Sequence, residues 1–399
     1  MKAFIKLLLL ALLFFGCHFS KNKDRNQLLT FDLKELPRVS NVKLTDLGFS
    51  DIQYIPLETN SKCLIQRKIN LNSLRDRLIV GPDFFITKQF NSILEFNFNG
   101  TFIARIGTMG RGPDEFQTCH DIDIGKNEKI YLMDGWKRKF FVYNGNGELL
   151  KTISIPIYGF GDFRVADGNF LCYTDNHLGD IEYSYSLLDT SGRIVKKFPN
   201  KYPFVKYKND AYGFYHENLF YSISNRLYKK EVYSDTIYLY ENMNFKPHLV
   251  IDMGDKLITP KARSEFAGMD LAKNYISPQN LFEFGDYIYY EFTYKFDFAN
   301  SEIYGFIGSK QTDFQALINP EKGLINDLDG GPNILPLTVK DDNTIIGWVE
   351  ALELKKHVAS ETFKNSLPKY PEKKKELEQL ANRLKDTDNP VLVLVRLKK

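Results

Sequence analysis

The chain repeats one pattern of hydrophobic and polar positions. A short apolar strand is followed by a polar turn, and then by two strands in which apolar and polar residues alternate. Alternation with a period of two is typical of strands that bury one face. Three clear copies of this pattern cover residues 78–107, 129–156 and 169–199. The pattern therefore predicts a protein built from repeated antiparallel β-sheets.

Glycines in tight turns fix the register of the repeat. Gly100, Gly147 and Gly192 each close a turn in one of the three copies, and they recur every 45–47 residues. Glycine suits the positive φ angles of tight hairpins, so we expect these turns to join the outer strands of each sheet. Three weaker copies begin near residues 219, 287 and 344. Six units with a spacing of about 50 residues are typical of the blades of a β-propeller.

Two strands near the ends of the chain have no hairpin partner of their own. Residues 51–58 read DIQYIPLE, and residues 389–398 read NPVLVLVRLK, which is too apolar for an edge strand. A ring whose first and last blades did not join would expose two sheet edges. We therefore expect these strands to pair within the last blade. They would close an all-β, six-bladed propeller over residues 40–399.

Residues 351–386 depart from the strand pattern of the last unit. Pro368 and Pro371 divide this segment in two. Leucines that fall on one face of a helix are Leu377, Leu380 and Leu384. The last blade is thus predicted to carry a short helical insertion. We interpret its lysines, 373–375, as a solvated helix face and not as a contact with a membrane or nucleic acid.

Residues 1–17 have the parts of an export signal. Two lysines precede a nine-residue apolar run, which is too short to span a bilayer. Gly16 and Cys17 follow this run. A small residue before cysteine is what bacterial lipoprotein processing requires, so Cys17 is predicted to be acylated. The alternative is an ordinary cleaved signal in which the cysteine is accidental. Residues 18–39 would form a flexible tether that holds the propeller on a membrane of the cell envelope.

Composition supports a β protein and excludes some partners. The chain contains 32 Phe and 23 Tyr, which favour strands. The 53 basic and 50 acidic residues give a net charge of +3, so no nucleic-acid-binding surface is indicated. Cys63, Cys119 and Cys172 are odd in number and have no CxxC spacing. They predict neither a metal framework nor a disulfide framework, although one pair could form in an oxidising compartment.

Residues 105–143 resemble an NHL-type propeller repeat. The positions that match its glycine-rich turn, and their polar neighbours, are Gly107, Gly110, Arg111, Gly112, Pro113, Glu115 and Phe116. Asp134 stands where the family's strand carries an aspartate, whereas the family's proline after the phenylalanine is absent. With IPLET at 55–59 and the C-terminal strand, nearly all of residues 40–399 resemble six-bladed propeller lipoproteins of Bacteroidetes. The resemblance implies a fold and no particular activity.

The same turn can be interpreted from its physical chemistry. Its glycines permit the backbone to pass from the outer strand of one blade to the inner strand of the next, and Pro113 stiffens the exit. Arg111 and Glu115 could pair with each other or with nearby backbone. A phosphate-binding loop is not indicated, because no strand-turn-helix context and no Lys-Ser/Thr pair follow. The resemblance implies that Asp134 has a structural role and binds the turn after it.

Local catalytic motifs are absent from the sequence. It contains no GxSxG, HExxH or HxH spacing, which are the strongest local signals of hydrolases and zinc sites. A propeller can still assemble a site where the starts of its inner strands converge on one mouth of the channel. The residues that we expect there are His120, Asp121, Asp123, Trp136, Lys137 and Arg138. Alternatively, the two aspartates only enter a turn or strand, and the tryptophan covers a blade edge.

We therefore expect a non-catalytic, ligand- or protein-binding scaffold on the cell envelope, without a cofactor. A first alternative is a calcium-dependent, lactonase-like enzyme, whose oxygen ligands would be Asp134, Asp175 and Asn225. A second alternative is a structural subunit of an envelope complex or a glycan-binding lipoprotein. The aromatic residues that could stack on a sugar or a protein partner are Trp136, Tyr158, Tyr173, Tyr212 and Tyr215.

Overall fold

Six antiparallel sheets surround a central channel. The structure is a computed structural model, and it describes residues 28–65, 78–89, 92–156, 159–208, 213–296 and 302–398. Five sheets have four strands, and one has a fifth strand at its edge. The predicted all-β, six-bladed propeller is confirmed. The signal segment, Cys17 and most of the predicted tether lie outside the described residues.

Each blade begins with its inner strand at the channel. Blade 1 contains β3 (Leu78–Val80), β4 (Phe84–Lys88), β5 (Ile93–Asn97) and β6 (Phe102–Arg105); blade 2 contains β7 (Asp121–Ile124), β8 (Ile130–Asp134), β9 (Lys139–Tyr143) and β10 (Leu149–Ser154). Blade 3 contains β11 (Phe160–Ala166), β12 (Asn169–Thr174), β13 (Tyr183–Leu188) and β14 (Ile194–Pro199); blade 4 contains β15 (Asn218–Ile223), β16 (Arg226–Glu231), β17 (Thr236–Glu241) and β18 (Asn244–Asp252). Blade 5 contains β19 (Ser277–Phe284), β20 (Tyr287–Tyr294), β21 (Glu302–Ser309) and β22 (Gln315–Ile318); blade 6 contains β23 (Thr338–Asp341), β24 (Thr344–Val349), β25 (Val391–Leu397) and β2 (Phe49–Pro56).

The short helices lie in two connections. Between blades 4 and 5 are α1 (Pro260–Glu265) and α2 (Gly268–Asn274); between β24 and β25 are α3 (Ala351–Ala359), α4 (Glu361–Asn365) and α5 (Pro371–Arg383). Turns of 3-10 helix occupy Thr45–Leu47 and Gly254–Lys256. The predicted helical insertion in the last blade is therefore confirmed. Within the described ranges, no helix combines the length and the apolar character needed to cross a bilayer.

The lysines of α5 do not form the solvated face that we predicted. Lys373 Nζ donates hydrogen bonds to Asp51 Oδ1 at 2.6 Å and to the carbonyl oxygen of Ile52 at 2.9 Å. Lys374 Nζ donates to the carbonyl oxygen of Ser366 at 2.7 Å, and only Lys375 is exposed. The prediction is wrong for two of the three residues: Lys373 reaches blade 6, on which α5 packs, and Lys374 reaches the backbone at the end of α4.

The two chain ends close the ring as predicted. β2 pairs antiparallel with β25, from Phe49 opposite Leu397 to Pro56 opposite Val391. β24 pairs with the other edge of β25, so β25 is an interior strand of the blade. Its residues Val391–Val395 are all buried. This position explains why the C-terminal sequence is too apolar for an edge.

The N-terminal part of the described chain extends the ring further than expected. β1 (Leu29–Asp32) pairs parallel with β18 at the outer edge of blade 4. Phe31 and Leu33 are buried, and Ser40 N then donates to the carbonyl oxygen of Leu317 at 2.8 Å on blade 5. Residues 28–39 therefore pack on the propeller and do not belong to the flexible tether that we predicted for residues 18–39. The apolar residues at alternate positions of this segment provide the packing that holds it.

Apolar clusters fill the space between neighbouring blades. The ring of Phe140 in blade 2 lies 4.8 Å from that of Phe163 and 4.5 Å from that of Phe170, both in blade 3. Similar clusters join blades 1 and 2, 3 and 4, and 6 and 1, and one large cluster joins blades 4, 5 and 6. Each sheet is thus covered on both faces by its neighbours, as radial packing requires.

The hairpin glycines also contribute to the contacts between blades. Gly100, Gly147 and Gly192 join the third and fourth strands of blades 1, 2 and 3 with φ angles of 90°, 76° and 84°, as predicted. A Cβ atom at Gly147 would lie 2.4 Å from the carbonyl oxygen of Arg105 in blade 1. At Gly100 and Gly192, the equivalent distances to the preceding blade are 2.1 and 2.2 Å. Glycine is therefore required there by conformation and by close approach.

The predicted starts of the repeat do not all fall on the same strand of a blade. Those near residues 78 and 219 coincide with inner strands, whereas those near 130, 170, 287 and 344 coincide with second strands. The inner strand β11 was not recognised, because channel-facing polar residues interrupt its apolar pattern. An inner strand was expected to start near Asp121, where β7 begins, although the repeat itself was counted from β8. The number of blades was still correct, because each blade contributed one copy.

Candidate functional site

The two ends of the channel carry different connections. At the end where the inner strands begin, which we call the long-loop end, the chain passes from blade to blade and from second to third strands. Three of the longest connections there are 200–217, 253–276 and 350–390. At the opposite, short-turn end, the strands are joined by turns such as 81–83 and 342–343. Long loops on a rigid scaffold are the usual location of binding residues.

The turns of two blades meet at the short-turn end. Ser224, after the inner strand of blade 4, donates from its backbone N–H and its hydroxyl to the carboxylate of Asp342 in blade 6, at 2.8 and 2.6 Å. The N–H of Gly285 in blade 5 donates to the carbonyl oxygen of Asp342 at 2.5 Å. These bonds tie three blades together. The longer connections lie at the opposite end of the channel.

The channel is large and its wall is polar. Its volume is about 1530 Å³, and residues from the inner strands of all six blades line it. Ligand-binding clefts usually have volumes of roughly 300–1,000 Å³. The channel can therefore accommodate a small molecule or a segment of a polypeptide.

Asp121 and Asp123 of β7 project into this channel, while Ile122 between them is buried between blades 1 and 2. The Asp121 carboxylate accepts hydrogen bonds from Phe163 N at 2.9 Å and Arg164 Nη1 at 2.8 Å. Asp123 Oδ2 accepts from Val165 N at 2.7 Å. These N–H groups lie on the free edge of β11, where no neighbouring strand can accept them. The two aspartates thus accept hydrogen bonds from backbone N–H groups at the free edge of β11, and these bonds join blade 2 to blade 3.

Asp162 adds a third carboxylate to the same wall. It lies on β11 and accepts from Asn218 Nδ2 of blade 4 at 3.4 Å. Burial, reinforced by the negative charge of Asp121, raises the pKa of Asp162 well above its usual range. Burial also raises the pKa of Asp123 to about 6. Arg164 supplies one positive charge among three carboxylates, so the wall favours a further cation when the carboxylates are ionised.

A second polar group lies at the rim of the long-loop end. Asp175, His177 and Glu217 have potential ligand atoms that all lie within 4.8 Å of one another. Glu217 is buried, and it accepts from Asn176 N at 2.6 Å and from Arg263 Nη1 at 3.3 Å. The Arg263 guanidinium therefore neutralises part of the charge of this group. Burial raises the pKa of Asp175 as well, although His177 opposes the shift.

The structure brings three of the six expected mouth residues into the channel wall: His120, Asp121 and Asp123. His120 Nδ1 accepts from Gly135 N at 3.1 Å and lies 2.8 Å from Thr118 Oγ1, while burial lowers the pKa of the ring.

The other three expected residues lie on the adjacent turn between β8 and β9. Trp136 is 71% exposed and Arg138 is exposed with a φ angle of 51°. Lys137 Nζ donates to the carbonyl oxygen of Gly112 at 2.6 Å. Lys137 thus holds the preceding loop, whereas the side chain of Trp136 is open to solvent.

The glycine-rich segment connects β6 of blade 1 to β7 of blade 2. A Cβ atom at Gly107 would lie 2.3 Å from the Tyr143 hydroxyl oxygen, and one at Gly110 would lie 2.0 Å from Glu115 Oε2. Glu115 Oε2 accepts from Gly112 N at 2.8 Å, and Phe116 is buried between the two blades. Arg111 and Pro113 are exposed. This segment is built to connect blades closely.

Asp134 ties the same region together. It is fully buried, and its carboxylate accepts from Gln117 N at 2.6 Å and from Lys137 N at 3.0 Å. One oxygen therefore binds the loop that precedes β7, and the other binds the turn that follows β8. This arrangement corresponds to the structural role that the family resemblance implies.

The residues considered for calcium do not come together. Asp134 lies inside blade 2, Asp175 lies at the long-loop end, and Asn225 lies in a turn at the short-turn end with a φ angle of 58°. The predicted set is wrong because strand direction places the last two residues at opposite ends of the channel. Asp175 instead lies near His177 and Glu217.

The aromatic candidates and the cysteines fall into different environments. Tyr173 is buried, with its ring 5.1 Å from that of Tyr185, so it cannot contact a ligand. Tyr215 is 54% exposed and lines the channel. Tyr158 and Tyr212 lie outside the described residues. The cysteines within the described ranges are free thiols, and they are Cys63, Cys119 and Cys172.

Sequence reasoning missed four polar residues of the site: Asp162, Arg164, Glu217 and Arg263. A signal for the first two was present, because they alternate along β11 as Asp121 and Asp123 alternate along β7. No local signal identified the other two. They pair across 46 positions of the chain and meet only in the folded protein.

The fold and the channel define the class of protein: a six-bladed β-propeller with an acidic channel mouth beneath long loops. The chain belongs to the family described as Domain of unknown function (DUF4934), whose model matches residues 28–396. No curated protein sequence matches the chain.

Two of the solved structures that are similar to this protein come from Bacteroides species. One is a protein named as exported, from Bacteroides fragilis NCTC 9343, with a TM-score of 0.65 and 16% identity over 94% of this chain and 100% of its own. The other is a member of the DUF4221 family from Bacteroides vulgatus ATCC 8482, with a TM-score of 0.51 and 12% identity over 88% of this chain and 97% of its own. At these identities, the similarity shows a shared fold.

Proposed function

We propose that this protein is a non-catalytic binding scaffold of the cell envelope, and that it binds its ligand at the long-loop end of the channel. The observation that carries this proposal is the acidic wall formed by Asp121, Asp123 and Asp162 around Arg164. A rigid ring holds these side chains on adjacent inner strands, and the channel gives a ligand access to them. A preformed, polar site of this kind favours recognition.

The hydrogen bonds of the wall support binding over catalysis. Asp121 and Asp123 each accept from backbone N–H groups of β11, which restricts their movement. A general base must reach the proton that it removes, whereas a recognition site benefits from side chains that are already held in place. The expected ligand carries a cationic group or several hydroxyl donors.

A binding screen tests the proposal directly. Amines, amino sugars and oligosaccharides would be titrated calorimetrically into wild-type protein, the Asp123→Asn variant and the Asp162→Asn variant. Asp83→Asn, an exposed position in a short turn of blade 1, is the control. We expect binding that is lost in the channel variants and kept in the control. Robust turnover of an ester, lactone or glycoside that one channel substitution abolishes would overturn the proposal.

The envelope location rests on the sequence at Cys17. The similar Bacteroides fragilis protein is named as exported, which supports the same location for this chain. Cells that express the full chain would be labelled with an alkyne fatty acid. We expect label and membrane fractionation in the wild type and neither in the Cys17→Ser variant. Equal labelling of both proteins would refute acylation at this cysteine.

Metal-dependent hydrolysis is the second candidate function, and the Asp175–His177–Glu217 group favours it. An imidazole ligand fits a transition metal better than calcium, which prefers oxygen ligands. The contact of Arg263 with Glu217 opposes a cation at this position. Elemental analysis after incubation with Mn²⁺, Zn²⁺ or Ca²⁺ tests it. One bound ion per chain that His177→Ala removes would favour this function over the scaffold.

A further inference from the structure

Some of the exposed apolar side chains of the protein lie on loops at the mouth of the channel, while others are scattered over the outer strands. At the long-loop end above blades 2–4, the most prominent are Trp136, Leu178, Val205, Tyr215 and Phe266, with exposed fractions of 71, 45, 80, 54 and 40%. A monomeric protein keeps such side chains in water at a free-energy cost, and groups of them mark interaction surfaces. We refer to these five residues as the apolar rim.

The apolar rim lies on the same side of the ring as the acidic wall. Tyr215 lines the channel itself. Leu178 directly follows His177, which lies close to Asp175 and Glu217. Val205 N donates to Ser264 Oγ of α1 at 3.2 Å, so two of the long connections are joined. Trp136 follows Gly135, whose N–H is bound to His120 in the channel wall. A partner that covers the rim therefore also faces the carboxylates.

We propose that the long-loop end binds a protein segment in which apolar side chains flank a lysine or arginine. The apolar side chains would pack on the apolar rim, and the cationic side chain would enter the channel beside Asp123, Asp162 and Asp175. This proposal rests on the binding function proposed above, and it specifies the class of partner.

The composition of the rim favours a protein over a glycan. Sugars stack on flat aromatic rings, and Trp136 and Tyr215 could provide two such rings. Leu178 and Val205 offer no flat surface, but they match the aliphatic side chains that a protein partner buries. Aromatic side chains such as Trp136 and Tyr215 are also enriched at protein interfaces.

The charge of the mouth favours a basic segment and disfavours a membrane. The carboxylates of Asp121, Asp123 and Asp162 lie on adjacent strands around one guanidinium, that of Arg164. When all three are ionised, the local net charge is negative and favours a further cation. Bacterial membranes expose anionic headgroups, which attract basic surfaces. The carboxylates of the channel wall would repel them, whereas Lys88 and Lys206 at the same end would attract them, so the preference for a cation belongs to the channel wall. Charge complementarity instead gives a lysine or arginine of the partner both affinity and orientation.

A phage-displayed library of random short peptides is the appropriate probe. Selection on immobilised full-length protein should enrich peptides with Lys or Arg between Leu, Phe or Trp residues. Affinities of synthetic copies would be measured by calorimetry with three rim variants, Trp136→Ser, Leu178→Ser and Tyr215→Ser. Met243→Ser, at an equally exposed position of the short-turn end, is the matched control. We expect the affinity to fall by about tenfold or more in the rim variants and to remain unchanged in the control.

The cationic contact has its own readout. Replacement of the peptide's lysine or arginine by norleucine should weaken binding to wild-type protein but not to an Asp123→Asn, Asp162→Asn double variant. Thermal melting of each variant separates loss of binding from loss of folding. Selected peptides without a preference for basic residues, or without sensitivity to the rim, would overturn the inference.

The outcomes also separate this inference from the function on which it rests. An oligosaccharide or an anionic lipid vesicle could bind in a manner sensitive to Asp162→Asn while no peptide binds. The channel mouth would then be a binding site, and the proposal of a protein partner would be refuted. If no probe responds to the channel substitutions, both proposals fail.

Discussion

At the scale of the residue, the negative charge of Asp162 in the channel wall lowers the stability of the folded protein. Burial raises its pKa, with a further contribution from Asp121. A carboxyl group whose pKa is higher in the folded state binds its proton more tightly there than in the unfolded chain. The stabilisation that comes from this tighter proton binding is therefore lost as the pH rises through the pKa of the folded state. A ligand cation would offset this cost.

Removal of the Asp162 charge should therefore stabilise the free protein. We expect the Asp162→Asn variant to melt at a higher temperature than the wild type at pH 8.5, and the gain to be smaller at pH 5, where the wild-type carboxyl group is largely protonated. Calorimetric melts at the two pH values provide the measurement. The Asp83→Asn control, at an exposed turn, should melt as the wild type does at both. A gain that is larger at pH 5 would contradict the assigned pKa shift.

At the scale of the element, the hairpin between β9 and β10 joins two blades through one glycine. Gly147 has a φ angle of 76°, and any Cβ atom there would meet the backbone of blade 1. Gly145, two residues earlier in the same turn, has no positive φ angle and no atom within 4 Å of an added Cβ. The turn thus contains one glycine that the fold requires and one that it does not.

The two glycines provide a matched pair of substitutions. Gly147→Ala should lower the free energy of unfolding by at least about 1–2 kcal/mol, because an L-residue in the left-handed region has roughly this cost before any clash is counted. Gly145→Ala should be neutral or stabilising by up to about 1 kcal/mol, because it restricts the unfolded chain. Urea denaturation of both variants measures the difference. Equal stabilities would show that contacts through this turn are unimportant.

The elements also show what the sequence could predict. Hairpin strands such as β5–β6 and β13–β14 were predictable because alternation and turn glycines are local signals. β25 was predictable because an apolar strand must be interior. β1 was not, since four residues with two apolar side chains form a strand only when β18 offers an edge. The inner strand β11 was missed because Asp162 and Arg164 serve the channel and not the core.

At the scale of the whole molecule, the site depends on the closed ring. Asp121 and Asp162 lie on the inner strands of blades 2 and 3, and Glu217 directly precedes the inner strand of blade 4. Only the packing of these three blades places them on one side of the channel. The sequence predicted a mouth near His120 because the start of an inner strand is a topological feature. It could not predict the partners of that mouth from other blades, because no local pattern encodes the distance between loops.

The direction of β1 indicates from which end of the ring the preceding part of the chain would arrive. β15, β16, β17 and β18 alternate in direction, so β18 runs opposite to the inner strand of its blade. β1 is parallel to β18 and therefore runs toward the long-loop end. Its first residue, Leu29, is thus displaced toward the short-turn end relative to Asp32. A chain anchored at Cys17 would approach the ring from that end.

This geometry predicts that the mouth faces away from the membrane. Ten residues, 18–27, can span at most about 40 Å. An anchor at Cys17 would therefore keep the ring close to the bilayer, and the direction of β1 would turn the short-turn end toward it. Acylated protein would be bound to vesicles that contain brominated lipids, which quench nearby tryptophan. The chain has a second tryptophan, Trp348, which is replaced by phenylalanine in every protein tested. We expect little quenching of Trp136 at the long-loop end. When Trp136 is also replaced by phenylalanine, Met243→Trp at the short-turn end should be quenched more strongly. Stronger quenching of Trp136 would place the mouth against the lipid, where the proposed protein partner could not reach it.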